Sequence, residues 1–353
     1  MKRLCLWFDE REKVSVREES LDPPGPGEVL VESLVSAISP GTEMLFYRGE
    51  LESGVAVDSS LEGYGGRFAY PLRYGYASVG RIVRAGKGVE EGLVGRLAFA
   101  FVPHASAFTA AVEKVVLVPE GIEPESAAFL AASEIAVTLV LDARPLLGER
   151  ASLFGLGIMG LMTAGLLSRF PLARLTAYDL HRLRREAAVP LGVDTVDPRE
   201  RPPGRGTEDF VIELTGSPHA FRDALGACGY AGRLVAGSWY GTKGARDSRA
   251  PVLEAFDTDF HRNRVRIVSS QVSTIDPSLS GRWTKERRFN AAWEAIRSIG
   301  PSRWITHRVP FGSAADAYRL IADSPERTIQ VMLVHETGPA ARVSARETGR
   351  PVP

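Results

Sequence analysis

The sequence predicts an α/β protein in which a doubly wound parallel sheet follows a β-rich unit. From about residue 125 to residue 300, strand-like runs alternate with helical runs, which is typical of a parallel sheet covered by helices on both faces. Before residue 125, short strand-like runs are separated by turns rich in Gly and Pro, such as residues 22–27. A glycine-rich turn at residues 155–160 joins a buried strand to a helix, and we expect the sheet to be organised around it.

The glycine-rich turn carries the clearest functional pattern. Residues 151–154 predict a buried strand, residues 155–160 read Gly-Leu-Gly-Ile-Met-Gly, and a helical run continues to about residue 170. In a G-x-G-x-x-G turn the first glycine allows a tight turn, the second lets backbone amides approach a pyrophosphate, and the third lets helix pack on strand. The free N–H groups of the helix N-terminus attract the diphosphate. These features predict a dinucleotide site.

A carboxylate follows the next predicted strand, at residues 174–178. Asp179 is placed to accept hydrogen bonds from the diol of an adenosine ribose, which favours NAD as the cofactor. The nearby Arg182 and Arg184 suit the 2′-phosphate of NADP, so that NADP stays open. The predicted cofactor-binding residues are Gly155, Gly157, Ile158, Met159, Gly160, Asp179, Arg184, Thr215, Gly237, Gln271 and Thr138.

Small or polar residues follow the ends of three further predicted strands. Thr215, Gly237 and Gln271 each come just after such a strand, and Thr138 belongs to a predicted helix at residues 126–141 that leads into the sheet. Ligands of a doubly wound sheet lie beyond the carboxyl ends of its strands, so a cofactor across that edge would meet these residues. Taken singly, each strand-end residue can also be an ordinary turn residue.

Composition excludes several classes of partner. The chain has 353 residues, about two domains, and its 43 Lys and Arg balance its 43 Asp and Glu, so no net charge favours nucleic acid. Two cysteines, Cys5 and Cys228, argue against a disulfide framework and against a cysteine-built zinc site. The chain shows neither a signal-peptide pattern nor an apolar run of membrane-spanning length. We therefore expect a cytoplasmic protein with a small-molecule substrate and with no nucleic-acid or membrane partner.

The order of these units resembles the medium-chain dehydrogenase/reductase superfamily over roughly residues 1–335. The resemblance implies a GroES-like β-barrel catalytic domain at residues 1–124 and 301–335 and a Rossmann domain at residues 125–300. It also implies a homodimer, because superfamily members often pair through sheet edges. Residues 336–353 lack periodicity and predict a disordered tail, and residues 50–70 predict an exposed loop that could cover the active site.

The residues that hold catalytic zinc in this family are replaced here. The family loop C-x-[ST]-D corresponds to residues 39–43, which read Ser-Pro-Gly-Thr-Glu, and the family motif G-H-E corresponds to Gly75-Tyr76-Ala77. Glu134 matches a third-ligand position of polyol-type members, but a single carboxylate cannot build a site that needs three protein ligands. The resemblance therefore implies a member without zinc.

Short motifs resemble one subgroup of the family, which contains the bacteriochlorophyllide hydroxyethyl dehydrogenase and is similar to threonine dehydrogenases. The matching segments are residues 39–43, 75–80, 269–272 and 283–288. That enzyme oxidises a 1-hydroxyethyl side chain to an acetyl group. Because the matches are short, they support the subgroup and do not identify the substrate.

Alcohol oxidation without zinc needs another group to handle the hydroxyl proton. We predict that Tyr76 donates to or accepts from the substrate oxygen, with Thr42, Glu43 and Ser39 as partners or proton relay. The alternative is that Tyr76 only fills the vacated zinc cavity while Glu43 pairs with an arginine. His104 is a second candidate acid/base, because imidazole titrates near neutral pH, although such a histidine is more often a structural hydrogen-bonder.

These observations predict an NAD-dependent dehydrogenase without zinc that interconverts a secondary alcohol and a ketone on a fairly large biosynthetic intermediate. An NADPH-dependent quinone or enoyl reductase is the first alternative, and Asp179 counts against it. A non-catalytic NAD-binding protein is the second alternative. A methyltransferase is a weaker one, because the preceding β-rich unit disfavours it.

Overall fold

A computed structural model describes residues 1–51, 54, 57, 66–240, 250–256, 258–271 and 274–336. Of the predicted tail at residues 336–353, residues 337–353 lie outside the described residues, and so does most of the predicted loop at residues 50–70. Within the described part of the chain, no helix combines the length and the apolar character that crossing a lipid bilayer requires.

The N-terminal third of the chain forms antiparallel β-structure. A hairpin comes first, built from β1 (Lys2–Glu10) and β2 (Lys13–Ser20). The five strands that follow are β3 (Glu28–Ala37), β4 (Ser78–Ala85), β5 (Leu97–Ala100), β6 (Ala107–Ala111) and β7 (Val115–Leu117). Strands β3, β4, β5 and β7 pair in that order, and β6 pairs with β3. This unit confirms the predicted β-rich region.

The central part of the chain forms a six-stranded parallel sheet. Its strands are β8 (Arg150–Phe154), β9 (Arg174–Tyr178), β10 (Asp194–Val196), β11 (Glu208–Glu213), β12 (Cys228–Ala236) and β13 (Arg266–Ser269). They lie in the order β10-β9-β8-β11-β12-β13, so the strand order reverses beside β8. The predicted doubly wound sheet is thereby confirmed. Strand β10 was not predicted, because three residues carry too little periodicity.

Two C-terminal strands return to the first sheet. Strand β14 (Ile305–Pro310) pairs in parallel with β15 (Gln330–Val334), and β15 pairs antiparallel with β3. The described helices are α1 (Thr42–Tyr47), α2 (Pro124–Ala127), α3 (Leu130–Ala143), α4 (Ile158–Leu167), α5 (Arg182–Ala188), α6 (Pro218–Ala227), α7 (Ala250–Ala255), α8 (Thr258–Arg262), α9 (Lys285–Ile299) and α10 (Ala314–Asp323).

One continuous apolar core joins the β-rich unit to the parallel sheet. It includes Val79 of β4, Leu130 of α3, Leu161 of α4 and Trp293 of α9. Burial of apolar surface contributes roughly 25 cal/mol per Å², so a shared core holds the two units in a defined relative position. Residues that face each other across this core can therefore form a precise site.

From its small residues, the segment at residues 36–43 is predicted to be a loop, and the structure differs from this at both ends of the segment. Strand β3 continues to Ala37, and α1 begins at Thr42. The turn between them is held by reciprocal hydrogen bonds: the Ser39 Oγ accepts from the Thr42 N–H at 3.2 Å, and the Glu43 Oε1 accepts from the Ser39 N–H at 2.8 Å. This arrangement resembles a capping box, in which two side chains satisfy the free N–H groups of a helix start. The sequence prediction of an irregular loop was wrong for Thr42 and Glu43.

Candidate active site

The three glycines of the turn after β8 have three different physical roles. Gly155 has a φ of +95°, a conformation that L side chains rarely adopt. A Cβ atom on Gly160 would lie 1.9 Å from the Gly155 carbonyl oxygen, so only glycine allows α4 to pack this closely. Gly157, the N-cap of α4, has an ordinary φ of −64°, and a Cβ atom there would meet nothing within 4 Å. The space beside Gly157 is open, as a bound pyrophosphate would require.

The Asp179 carboxylate holds this turn in place. It is buried at the end of β9, where its Oδ2 accepts from the Leu156 N–H at 2.7 Å and its Oδ1 accepts from the His181 N–H at 2.8 Å. Each carboxylate oxygen has a second lone pair. Asp179 can therefore both fix the backbone of the glycine turn and accept from a ribose hydroxyl.

The arginines near Asp179 are already engaged by the protein. The Arg184 guanidinium donates to the Pro325 carbonyl oxygen at 3.1 Å and to the Thr328 carbonyl oxygen at 3.4 Å, so it connects α5 to the segment before β15. Burial lowers the pKa of Arg184. Arg182 is exposed and pairs with Glu186 on its own helix. The Arg184 Nη1 also lies 4.0 Å from the Asp179 Oδ2, and the sequence prediction that Arg184 contacts the cofactor stays a prediction.

Arg185, next to Arg184, is engaged in the same way. Its Nη1 donates to the Asp179 carbonyl oxygen at 2.8 Å and lies 3.2 Å from the Asp197 carboxylate. Guanidinium groups that already have acceptors would have to exchange them to bind a 2′-phosphate.

Two of the predicted strand-end residues lie against the glycine turn or beside it. The Thr215 N–H donates to the Glu213 carboxylate at 2.6 Å, and the Thr215 methyl group would lie 3.1 Å from a Cβ atom on Gly155. Gly237 has a packing role, because a Cβ atom there would lie 2.6 Å from a Leu214 methyl group. The lack of a side chain at Gly237 leaves room for the Leu214 and Leu139 methyl groups, and the prediction that Gly237 contacts the cofactor stays a prediction.

Gln271 and Thr138 lie further along the same side of the sheet. Gln271 follows β13, and its carbonyl oxygen accepts from the Thr274 N–H at 3.3 Å. The Thr138 hydroxyl donates to the Glu134 carbonyl oxygen at 3.0 Å and lies 3.4 Å from the Arg288 guanidinium. The polar atoms of Thr138 are thus satisfied within the protein.

A narrow cleft brings the predicted catalytic residues to the predicted cofactor-binding residues. Ser39 and Tyr76 line it from the β-rich unit, and Ile158 and Met159 line it from the first turn of α4. The remaining lining is mostly small and apolar, contributed by Ala37, Ile38, Ala77, Ala128, Phe129, Ala131 and Ala132, with Gln330 as a further polar residue. The Ser39 and Tyr76 hydroxyl groups therefore lie across a mostly apolar cleft from the first turn of α4.

The two hydroxyl groups are hydrogen-bonded to each other. The Tyr76 hydroxyl donates to the Ser39 Oγ at 2.7 Å, and the Ser39 Oγ also accepts from the Thr42 N–H. A serine hydroxyl has two lone pairs and one hydrogen. Because both lone pairs are occupied, the Ser39 hydrogen remains to be donated to a group in the cleft.

The Glu43 carboxylate lies behind this pair and is fully buried. Its Oε1 accepts from the Ser39 N–H, while its Oε2 accepts from the His104 Nε2 at 3.0 Å and from the Tyr318 hydroxyl. Burial and the neighbouring Glu43 raise the pKa of Tyr318 well above its usual range, so the hydroxyl keeps its proton and donates it. The alternative pairing of Glu43 with an arginine is not what the structure contains.

His104 is fully buried on the far side of Glu43 from the cleft. Gly75 makes room for its ring, because a Cβ atom on Gly75 would lie 2.5 Å from the imidazole. The neighbouring His335 stacks on Phe311, and burial lowers the pKa of His335 to about 3, so that this ring is neutral near pH 7. His104 contacts Glu43 and is not among the residues that line the cleft, and its role as an acid/base stays a prediction.

Glu134, the matched third-ligand position, is paired with a buried arginine. The Arg288 Nη2 lies 3.1 Å from the Glu134 Oε2, and the Arg288 Nη1 donates to the Thr274 carbonyl oxygen at 3.0 Å. Burial raises the pKa of Glu134 to about 7, against the opposing effect of the Arg288 cation. Over the residues that the structure describes, no three His, Cys, Asp or Glu side chains come together as metal ligands.

Sequence reasoning did not identify Tyr318 or the role of Arg288. Arg288 carried a signal, because it shares the buried stripe of α9 with Ala292 and Ile296, and an arginine in such a stripe needs an acidic partner. Tyr318 likewise lies on the buried stripe of α10, where a tyrosine hydroxyl needs a hydrogen-bond partner. Neither pattern identifies which residue the partner is.

Comparisons with known proteins find that this chain is similar to dehydrogenases. The chain is 26% identical over 332 residues to the 2-desacetyl-2-hydroxyethyl bacteriochlorophyllide A dehydrogenase of Rhodobacter capsulatus, covering 89% of this chain and 92% of that protein. It is 24% identical over 277 residues to the D-guloside 3-dehydrogenase of Escherichia coli, covering 74% of this chain and 77% of that protein. No family model matches the chain.

A solved structure shares the fold. An alcohol dehydrogenase from E. coli, in complex with NADH, superposes with a TM-score of 0.73 and covers 94% of this chain and 99% of its own, at 16% identity. At this identity the likeness shows the fold alone.

Proposed function

We propose that this medium-chain dehydrogenase/reductase interconverts a secondary alcohol and a ketone with NAD, and that the Ser39–Tyr76 hydroxyl pair binds the reacting oxygen where the family uses zinc. The chain is an NAD(P)-dependent oxidoreductase that acts on CH–OH groups, like its relatives and structural neighbours. The observation that carries the finer proposal is that Ser39 and Tyr76 share one cleft with Ile158 and Met159 of the dinucleotide helix.

The chemistry of the donor set supports an enzyme without zinc. Zinc in proteins is held by cysteine sulfur, histidine nitrogen and carboxylate oxygen, with three protein ligands in catalytic sites. Here the residues at the corresponding positions are Ser39 and Tyr76, whose hydroxyls bond each other, and Glu134, whose carboxylate is paired with Arg288. This set does not fit a zinc ion, and no step of the proposed reaction needs one.

In this proposal the bound NAD accepts the hydride, and the protein handles the oxygen and its proton. During ketone reduction, the Ser39 hydroxyl donates to the carbonyl oxygen and passes its proton to that oxygen as the hydride arrives. The Tyr76 hydroxyl, already donating to the Ser39 Oγ, replaces this proton, and Tyr76 takes up one proton from solvent before the next turnover, so that each reduction consumes one proton. The same atoms carry the proton the other way during alcohol oxidation, and the apolar lining keeps water out of the cleft.

The neighbours of Asp179 support NAD over NADP. The carboxylate that would face a 2′-phosphate is buried and would repel it. Arg184 and Arg185, which could have neutralised such a phosphate, already donate to protein acceptors. Arg182 is held by Glu186.

We expect metal-stripped protein to bind NADH at least about tenfold more tightly than NADPH, a difference of about 1.4 kcal/mol. Titration with each cofactor, followed by nicotinamide fluorescence, measures both Kd values. Dialysis against EDTA should leave turnover unchanged, and activity that returned only with added zinc would contradict the hydroxyl-pair mechanism. A preference for NADPH would instead favour the quinone or enoyl reductase reading.

The lining of the cleft supports a substrate with apolar surface next to the carbinol carbon. Alanines and Phe129 flank the hydroxyl pair, whereas a polyhydroxylated sugar needs several polar partners. We propose a fairly large biosynthetic intermediate of this kind as the substrate. A panel of 1-arylethanols, polyols and hydroxy acids, each offered with NAD, tests this proposal. The alcohol that is oxidised fastest becomes the assay alcohol for the variants described below. Faster oxidation of the polyols than of the 1-arylethanols would contradict the proposal of an apolar substrate.

We propose that the protein forms a homodimer through β13. This strand is one of the two edges of the parallel sheet among the described residues, and Ile267 on it is 38% exposed. An uncovered edge strand presents unpaired backbone groups, which a second copy can pair with about a two-fold axis. Light scattering on the eluting protein should give twice the chain mass of 38.3 kDa, and a monomeric mass would contradict the proposal.

A further inference from the structure

We propose that Tyr318 is a positioning residue for the reaction, and that through the buried Glu43 carboxylate it holds Ser39 in the orientation that presents its hydroxyl hydrogen to the cleft. The inference rests on the proposed role of Ser39. It connects a residue of the C-terminal helix α10, which is not among the residues lining the cleft, to the Ser39–Tyr76 hydroxyl pair.

The Glu43 carboxylate is the point where three segments of the chain meet. The Ser39 N–H comes from the turn before α1, the His104 ring comes from the segment between β5 and β6, and the Tyr318 hydroxyl comes from α10. All three donors bond a carboxylate with no exposed surface. A buried carboxylate is stable only while such donors satisfy its oxygens, so it moves or protonates when one is removed.

Movement of Glu43 would be transmitted directly to Ser39. The Glu43 Oε1 holds the Ser39 N–H, and the backbone at Thr42 holds the Ser39 Oγ. With Tyr76 donating to the same Oγ, the Ser39 hydrogen has one direction left. If the Glu43 carboxylate turned to find a new donor, the Ser39 backbone bond would break and the hydroxyl would lose this fixed direction.

The Tyr318 ring is held independently of its hydroxyl. It packs edge-on against Phe8, with ring centroids 5.2 Å apart, and stacks on Tyr47 at 5.6 Å. Replacing Tyr318 with phenylalanine therefore removes the donor to Glu43 and keeps the packing. Tyr47 supplies a matched control, because Tyr47→Phe removes a buried hydroxyl from the same aromatic stack without touching Glu43.

The test compares these variants with the assay alcohol chosen from the panel of 1-arylethanols, polyols and hydroxy acids. We expect Tyr318→Phe to lower kcat by about tenfold or more while the Kd for NADH changes less than about twofold, and Tyr47→Phe to stay near the parent rate. In a Ser39→Ala background, Tyr318→Phe should cause no further loss, because its effect passes through Ser39.

Two kinetic results would overturn the proposal. One is a parental kcat in Tyr318→Phe, and the other is a loss that simply adds to that of Ser39→Ala. A Ser39→Ala variant with parental turnover would refute the proposed function itself, and this outcome is distinct from a failure of Tyr318 alone.

His104 gives a second pair of variants in case Tyr318→Phe does not fold. His104→Gln keeps an amide N–H that can reach the Glu43 carboxylate, whereas His104→Leu removes the donor and keeps an apolar side chain. The proposal requires the glutamine variant to retain most of the turnover and the leucine variant to lose about tenfold. Equal rates in the two would show that donors to Glu43 do not position Ser39.

Discussion

Replacing Gly157 with valine is expected to weaken NADH binding about a hundredfold or more, a loss of about 2.7 kcal/mol, while the free energy of unfolding stays close to that of the parent protein. The reason is that Gly157 is required for space and not for conformation. Its φ of −64° is open to any residue, and a Cβ atom would meet nothing within 4 Å of the protein. The added methyl groups would instead occupy the volume at the N-terminus of α4 where we expect the pyrophosphate to bind.

A matched control is the third glycine of the same turn. Gly160→Ala places a Cβ atom 1.9 Å from the Gly155 carbonyl oxygen, so it should destabilise the fold, with the melting temperature falling along with cofactor affinity. Fluorescence titration and thermal unfolding of both variants separate the two effects. Parental NADH affinity in Gly157→Val would place the cofactor elsewhere and remove the basis of the dinucleotide site.

Removing the Ser39 hydroxyl is expected to lower kcat about a hundredfold, because Ser39→Ala deletes the group that donates to the reacting oxygen. Tyr76→Phe should cost more than about tenfold, since the ring remains while the hydrogen bond to the Ser39 Oγ is lost. Both variants should bind NADH normally, because neither hydroxyl belongs to the glycine turn. Steady-state kinetics with the assay alcohol, together with NADH titration, measure the two quantities separately.

The two variants also separate the remaining readings of the site. An unchanged rate in Tyr76→Phe would mean that Tyr76 only fills the space that zinc occupies in relatives. Normal NADH binding with no turnover in the parent protein would favour the non-catalytic reading. Tyr47→Phe again serves as the control for loss of a buried tyrosine hydroxyl near the site.

The sequence by itself determined the features that depend on local pattern. The strand at β8, the glycine turn and the helix α4 follow from apolar runs and from glycine spacing within about 20 residues. The replacement of zinc ligands that the family resemblance implies likewise rests only on Tyr76 and on the residues from Ser39 to Glu43, and the absence of zinc stays a proposal. These conclusions need only neighbouring residues, because the turn and the hydrophobic period are set within one stretch of chain.

Only the tertiary structure decided what the polar side chains face. Glu43 could have paired with an arginine, but its donors include Tyr318, 275 residues away. Arg184 was predicted to contact the cofactor, and only the folded chain shows that its guanidinium donates to a carbonyl oxygen 141 residues further on. A buried charge takes whichever partner the folded chain places beside it, and a sequence pattern shows that a partner is required without showing which one. The hydrogen bonds that Glu43 accepts from Ser39, His104 and Tyr318 are therefore visible only in the folded chain.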